Sequence, residues 1–184
     1  MQRVIGLDIS SSNIGYSVLE YTDTSIKLIT YGVIKPPKDS NILTRLIKTK
    51  FLILEILEKN QPDYIAIEDI IQFMKHKSSA KTVITLAVFN RMIGLVSYEF
   101  LNKPPTMLAV MTIRSLIRFK TKIVKEDIPN IIEQHLNIKF PWIMKTNKKT
   151  KLQEINVQSY DLADSIAVGL AFILKQRKNK KLAP

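Results

Sequence analysis

Residues 4–21 read VIGLDISSSNIGYSVLEY, and this stretch decides the fold. Its apolar run at 4–9 carries a single charge, Asp8, and a turn of serines and one asparagine separates it from a β-branched and aromatic segment at 15–21. Residues 27–34 have the same character. We therefore predict three consecutive strands joined by tight turns, and we expect them to pair antiparallel.

The rest of the chain alternates helical and strand patterns. The expected elements are a helix at 40–59, a strand at 63–69, a helix at 78–101, a strand at 106–111, short helices at 112–118 and 125–136, a polar basic loop at 145–151, and a final helix from about 159. This order predicts an α/β fold in which helices pack on the faces of a mixed sheet. Because we find neither a repeat nor a linker, we expect one domain, 1–184, with a flexible basic tail from about 175.

Composition excludes several classes of site. The chain has no cysteine and two histidines, which excludes disulfide scaffolds, thiolate zinc sites, cysteine nucleophiles and histidine-rich metal centres. No uninterrupted apolar run approaches the ~20 residues that cross a bilayer, so we expect a cytoplasmic protein of bacterial or phage origin without a membrane partner. Lys and Arg number 28 against 16 Asp and Glu, and this net charge of +12 favours a polyanionic partner, nucleic acid first. The alternative explanation of this charge is that the lysines only keep the surface of the protein soluble.

Acidic residues interrupt three otherwise apolar segments. Asp8 lies in the first strand pattern, Glu68 in IAIED, and Asp161 and Asp164 in YDLADSIAVGLAFIL. Each has a structural alternative: a turn cap for Asp8, a lysine partner for Glu68, and a helix N-terminus for Asp161. Asp69 alternates to the other face of its strand, so we rank Glu68 above it.

Four carboxylates gathered at one place need cations. Two like charges ~4 Å apart repel by ~4 kcal/mol at an effective dielectric of 20. Mg²⁺ and Mn²⁺ suit ligands that are all oxygen, and a pair of such ions can clamp the attacking and leaving oxygens of a phosphoryl displacement. The pattern therefore indicates phosphodiester chemistry, with the basic surface holding the phosphates.

At these residues the sequence resembles the RuvC-type Holliday-junction resolvases of the RNase H-like nuclease superfamily. IGLDISSSNIGYSVLE resembles the family's first strand and hairpin, YIAIED its fourth strand, and YDLADSIAVGLA its last helix. The resemblance places Asp8, Glu68, Asp161 and Asp164 at the positions of the family's catalytic, metal-binding acids. It spans about residues 3–174.

The resemblance implies an RNase H-like five-stranded mixed sheet, three antiparallel strands plus parallel strands, with helices on both faces. It also implies a homodimer through the helix around 78–101 and two Mg²⁺ ions per active site, for which Mn²⁺ substitutes. The activity implied is that of a magnesium-dependent endodeoxyribonuclease. Each subunit nicks one strand of a four-way DNA junction and leaves a 5′-phosphate and a 3′-hydroxyl.

DNA-binding residues follow from the same resemblance. Phe73 is the nearest match to an aromatic that follows the second acid, and it is expected to stack on an unpaired base, with packing inside its own loop as the alternative. Arg114 and Lys125 fall where the family has lysines that face DNA phosphates. Further lysines are expected to act in the same electrostatic way, with a solvated face as the alternative for each: Lys75, Lys77, Lys120 and Lys122. The loop at 145–151 and the basic tail are expected either to add nonspecific phosphate contacts or to be disordered.

Other functions remain open at this stage. The opening hairpin also resembles that of actin-like sugar kinases, but these need two lobes and 184 residues supply one. A noncatalytic nucleic-acid-binding module is a second possibility, against which the four acids count. The serious alternative is a broader nuclease of the same fold that cuts branched DNA, flaps or RNA–DNA hybrids.

Overall fold

The computed structural model describes residues 1–39, 41–70, 79–119, 123–147 and 150–182. Within these ranges the strands are β1 (Gln2–Ile9), β2 (Ile14–Tyr21), β3 (Ile26–Ile34), β4 (Tyr64–Glu68), β5 (Thr106–Leu108), β6 (Met144–Thr146) and β7 (Gln153–Ile155). The helices are α1 (Ile42–Asn60), α2 (Ala80–Leu101), α3 (Val110–Ile117), α4 (Ile128–Leu136) and α5 (Gln158–Leu182), and a 3₁₀ turn at Lys125–Asp127 precedes α4.

Strands β1 to β5 form one sheet in the order β3-β2-β1-β4-β5. β2 is antiparallel to both β1 and β3, whereas β4 runs parallel to β1 and β5 runs parallel to β4. The predicted mixed sheet of three antiparallel strands plus parallel strands is confirmed. The expected strand at 106–111 is shorter, because α3 begins at Val110.

The sheet has a hydrophobic core on each face, as expected for helices on both sides. Alternation along β1 sends Ile5 and Leu7 toward the core that α1 and α2 complete. Val4 joins the other core, which is built on α5 with α3 and α4. Residues two and four positions after Val4 in β1 lie on the same face of the sheet as Val4, so they face α5.

Helix α5 lies unusually close to the sheet. A Cβ added to Gly6 would meet the carbonyl of Ser165 and come within 2.6 Å of the Gly169 nitrogen, and one added to Gly15 would meet the carbonyl of Asp161. Real Cβ atoms essentially never make such contacts. Glycine at these positions therefore lets the first turns of α5 approach the ends of β1 and β2.

The C-terminal part of the chain differs from the sequence-based expectation in two ways. Lys145 and Thr146, from the loop expected at 145–151, lie instead in β6, which pairs with β7 as a hairpin that forms a separate two-stranded sheet. The flexible tail expected from about 175 is helical through Leu182. Arg177 and Lys180 provide a physical reason, since they bind the β2–β3 turn through the carbonyls of Thr22 and Ser25 and the carboxylate of Asp23.

Helix α2 is the one helix of the described residues that is long and apolar enough to cross a membrane by these two criteria, with a mean hydropathy of 1.3 over its best window. Length and hydropathy alone are weak evidence for a membrane span, because a helix that packs in the core of a protein meets the same two criteria. Phe89 and Ile93 of α2 are buried against the sheet.

Candidate active site

Asp8 and Glu68 stand next to each other at the ends of two neighbouring parallel strands. Leu7 of β1 pairs with Ile67 of β4, so the acids are the next residue on each strand. Alternation with Val4 and Gly6 turns Asp8 toward α5, and alternation with the buried Ala66 turns Glu68 the same way.

Asp69 faces the opposite side, as its place in the alternation predicts. Its carboxylate accepts a hydrogen bond from Arg91 of α2 at 3.1 Å. Asp69 is therefore held in an ion pair on the α2 face of the sheet, away from the other acids.

Asp161 and Asp164 lie on the first turns of α5, three residues apart, and face these strand ends. The glycines of β1 and β2 allow the close approach, because Gly15 pairs with Asp8 and lies against the carbonyl of Asp161. The structure thus brings all four predicted acids into one electrostatic cluster.

Burial and mutual repulsion perturb these carboxyl groups. Burial is the largest cause of the raised pKa of Asp8, and the charges of Glu68, Asp164 and Asp161 raise it further. Burial followed by Asp164 raises the pKa of Glu68 to about 7, against the opposing effect of Lys125 and Arg114. Burial also raises the pKa of Asp161. A site in which several acids resist ionisation is suited to a cation that neutralises them.

Two basic residues line the pocket beside the acids. The pocket has a volume of about 200 Å³ and is lined by Glu68 and Asp164, by Arg114 and Lys125, and by aliphatic side chains of α3, α4 and α5. The Lys125 ammonium lies 2.7 Å from Asp164 Oδ2. Burial opposes the charged form of Lys125, but this hydrogen bond and the charge of Asp164 outweigh burial and leave the lysine pKa raised. Arg114 and Lys125, which the resemblance places where lysines face DNA phosphates, therefore border the acidic cluster.

The carboxylate oxygens of these four acids are the type of ligand atom that a hard divalent cation prefers. Oδ2 of Asp161 is buried and finds no hydrogen-bond donor among the described residues, although a carboxylate oxygen in such a place normally has one. Across the same part of the chain, no three acidic or histidine side chains are already arranged to hold an ion. The Lys125 ion pair contributes to this, since the ammonium takes an Asp164 oxygen that an ion would use.

Sequence reasoning missed residues that position the acids. The Asn13 side chain hydrogen-bonds to Asp161 and lowers its pKa, against the larger effect of burial, and it also accepts a hydrogen bond from Gln158 at 3.4 Å. Asn90 of α2 is 1% exposed and donates to the backbone carbonyl of Glu68 at 2.9 Å. An asparagine in an otherwise apolar helix is the sequence signal for Asn90, whereas the sequence around Asn13 indicates only a turn.

Several predicted DNA-binding residues lie outside the described residues. These are Phe73, Lys75, Lys77, Lys120 and Lys122. Their roles stay predictions.

Comparison with known proteins extends the resemblance noted in the sequence. The family model for crossover junction endodeoxyribonuclease RuvC matches residues 4–139. The RuvC of Fusobacterium nucleatum is 34% identical over 101 residues, which cover 52% of this chain and 53% of that protein. The RuvC of Dehalococcoides mccartyi is 27% identical over 173 residues, which cover 91% of this chain and 90% of that protein.

The fold also matches a solved structure. T. thermophilus RuvC, in complex with Holliday junction substrate, superposes with a TM-score of 0.70 at 16% identity, covering 97% of this chain and 96% of that one. This likeness confirms the RNase H-like arrangement of the sheet and helices. Because the family model covers well over half of the sequence, the chain belongs to the RuvC family of crossover junction endodeoxyribonucleases.

Proposed function

We propose that this protein is a structure-selective DNA endonuclease that resolves Holliday junctions by paired, metal-dependent nicks. The observation that carries the proposal is the convergence of Asp8, Glu68, Asp161 and Asp164 from β1, β4 and α5 into one half-buried cluster. Family membership supplies the reaction class, since the RuvC relatives are crossover junction endodeoxyribonucleases. The four acids are the catalytic residues of this proposal.

The same four carboxylates are the proposed ligands of two Mg²⁺ ions, with Mn²⁺ as a substitute. When bound, such ions activate a water as the nucleophile and stabilise the charge on the leaving oxygen. Asp161 offers a buried oxygen without a donor, and Asp164 must release Lys125 to offer both of its oxygens. Asp8, whose pKa is raised by burial and then by the charges of the other three acids, would be a ligand at the centre of the set.

Lys125 has two successive partners in this proposal. In the described structure its ammonium neutralises Asp164. If bound cations neutralised the carboxylates instead, the ammonium would be able to bind a DNA phosphate beside the site. Arg114 lines the same pocket, and its Nε is buried with no acceptor among the described residues, so it is the second proposed phosphate ligand.

We propose a homodimer built on the outer surface of α1 and α2. The Lys50–Glu99 ion pair, 3.2 Å long, joins the two helices, and large apolar side chains are exposed around it. The exposed apolar residues of this α1–α2 face are Leu43, Ile47 and Phe51 of α1 and Ile84, Val88, Leu95 and Tyr98 of α2. A two-fold dimer through this face would provide two sites for two symmetric nicks. Cytoplasmic DNA is the proposed substrate pool.

Substrate mapping is the experiment that tests this function. Matched four-way, three-way, flap, linear and RNA–DNA hybrid substrates are incubated with Mg²⁺, and every cut and its end chemistry are mapped. Symmetric paired nicks with 5′-phosphate ends, confined to the four-way junction, are expected. Cutting of all branched or hybrid substrates alike would instead identify a broader nuclease, and junction binding without any cut would identify a noncatalytic module.

Asp8→Asn tests the metal-binding cluster within that assay. The substitution removes one negative charge at the centre of the carboxylates and preserves the shape of the side chain. Junction cleavage should fall by at least 100-fold, roughly the loss of about 3 kcal/mol of transition-state stabilisation, while junction affinity in Ca²⁺ stays within a few fold. Asp69→Asn, on the other face of the sheet, is the control and should cleave. Normal cleavage by Asp8→Asn would remove Asp8 from the mechanism.

A further inference from the structure

The β6–β7 hairpin lies outside the part of the chain that the family model matches, which ends at residue 139. All six residues of its two strands are exposed. A two-stranded hairpin is marginally stable by itself, so its attachment to the rest of the protein decides where it can act.

The base of the hairpin is attached to the first turn of α5. The backbone N–H of Ile143 donates to Ser159 Oγ at 3.0 Å, and the N–H of Asn156 donates to the Ile143 carbonyl at 2.7 Å. The Trp142 ring packs edge-on against Tyr160, with 6.3 Å between ring centroids. Because Asp161 follows Tyr160 directly, the base of the hairpin is anchored one residue away from the acidic cluster.

Charge distinguishes the hairpin from an ordinary surface loop. From residue 139 to residue 152 the sequence has lysines and no acid. Lys145 and Lys151 are both exposed, and the first acid after them, Glu154, accepts a hydrogen bond from the Asn147 side chain. Register places Met144 opposite Ile155 on one face of the ribbon and Lys145 opposite Glu154 on the other.

We infer that the β6–β7 hairpin is a DNA-binding arm, which holds a duplex arm of the substrate beside the acidic cluster. A two-stranded β-ribbon fits the major groove of B-DNA, and exposed lysines suit the phosphates at the groove edges. Lys145 and Lys151 contact phosphates, and the ribbon lies along the duplex that leaves the cleavage site. This inference rests on the proposed function for its substrate, but it concerns binding rather than the chemical step.

The test compares two double variants of equal charge. Lys145→Ala/Lys151→Ala removes the proposed phosphate contacts, and Lys27→Ala/Lys59→Ala removes two exposed lysines from β3 and α1. Affinity for a four-way junction and for linear duplex is measured in Ca²⁺ over a series of salt concentrations. The slope of log K against log salt should become shallower by about 1.8 in the hairpin variant, because each phosphate contact contributes about 0.9, and it should not change in the control.

Trp142 gives a second readout that does not depend on cleavage. It is the single tryptophan of the chain and lies 39% exposed at the base of the hairpin. Its fluorescence should change when DNA is added to the unaltered protein, and the change should shrink in the hairpin variant. Circular dichroism and melting temperature establish that both double variants are folded.

The outcomes separate this inference from the proposed function. An unchanged salt slope together with an unresponsive Trp142 would overturn the arm and leave junction cleavage standing. A Trp142 signal that follows protein concentration without DNA would assign the hairpin to self-association and also overturn the arm. Failure of the unaltered protein to bind any DNA would overturn both, whereas a shallower slope in a protein that binds but never cuts would support the arm alone.

Discussion

Glu68 ends β4 among other carboxylates, and its position makes ionisation unfavourable. Burial is the main cause, Asp164 adds to it, and the pKa rises from the ordinary 4.5 to about 7. The Glu68 carboxyl therefore holds its proton more tightly in the folded protein than in the unfolded chain. Between pH 4.5 and pH 7 it is protonated mainly in the folded state. Linkage then requires that the contribution of Glu68 to stability is greatest at low pH and is lost as pH rises from about 4.5 to about 7.

The prediction concerns the free energy of unfolding in EDTA between pH 5 and pH 8. As pH rises, the stability of the wild-type protein relative to Glu68→Gln should fall by about 2.5 kcal/mol over this range, since one pKa unit corresponds to about 1.36 kcal/mol and part of the change lies below pH 5. Urea unfolding at each pH measures it. Glu58→Gln, on the exposed side of α1, should run parallel to the wild type. If the Glu68→Gln difference does not vary with pH, the carboxyl ionises normally.

Asn90 is the second residue whose position bears on Glu68. Its Nδ2 donates to the Glu68 carbonyl, and its Oδ1 is buried with no donor among the described residues. An apolar replacement leaves that carbonyl without its donor, at a cost of about 1–3 kcal/mol. We therefore regard Asn90 as a positioning residue that fixes the end of β4 from α2.

Asn90→Leu should lower kcat for junction cleavage about tenfold or more while KM and junction affinity change little, because the DNA-binding surface is not altered. Ser97→Ala is the control, since Ser97 is equally buried on α2 but its hydroxyl donates to a carbonyl of its own helix, that of Ile93. A loss of stability in Asn90→Leu with normal kcat would reduce Asn90 to a packing residue.

At the scale of elements, the placement of α5 depends on glycines that face it. A methyl group on Gly15 would occupy the space of the Asp161 carbonyl, so Gly15→Ala must push the start of α5 away from β1 and β2. We expect a loss of about 1–3 kcal/mol in stability, the usual cost of overpacking, and weaker Mn²⁺ binding by calorimetry.

Gly94→Ala is the matched control for this substitution. Gly94 lies in α2, and a Cβ there meets nothing within 4 Å. Alanine should stabilise the helix by about 0.5–1 kcal/mol and leave Mn²⁺ binding unchanged. Equal Mn²⁺ affinity in Gly15→Ala and wild type would show that the approach of α5 does not set the metal site.

The sequence predicts elements well where periodicity is strong and poorly where it is not. The apolar runs at 4–9 and 63–69 predict β1 and β4, and the period of two along a strand predicts that Asp69 faces away from Glu68. The β6–β7 hairpin escapes prediction, since its strands have three residues each and are polar or exposed. Helix α5 extends past 175 through contacts with the β2–β3 turn, which are distant in sequence.

The candidate active site is likewise predictable from the sequence only in part. Three apolar segments interrupted by acid were enough to predict which carboxylates converge, because each burial is costly without a shared cation. The Lys125–Asp164 ion pair and the hydrogen bond from Asn90 to Glu68 were not predictable, because both join residues whose separation in space is set by the complete fold.

The assembled molecule, rather than one subunit, is the unit that the proposed paired nicks require. In one subunit Phe51 of α1 is 64% exposed and Leu95 of α2 is 59% exposed, and the Lys50–Glu99 ion pair joins the same two helices. Burying such side chains against a second copy removes apolar area from water, worth about 25 cal/mol per Å². A charge introduced there opposes association because it would be buried without a partner.

Leu95→Glu should therefore convert the protein from dimer to monomer, with a small effect on the fold of the subunit because Leu95 is exposed there. Light scattering coupled to size exclusion measures the mass, and Ile29→Glu, an exposed position on β3, is the control that should stay dimeric. On a four-way junction the monomeric variant should produce single, unpaired nicks, because each site then acts alone. Paired nicks from a protein that is monomeric at the assay concentration would contradict the dimer requirement, and a dimeric Leu95→Glu would place the interface elsewhere.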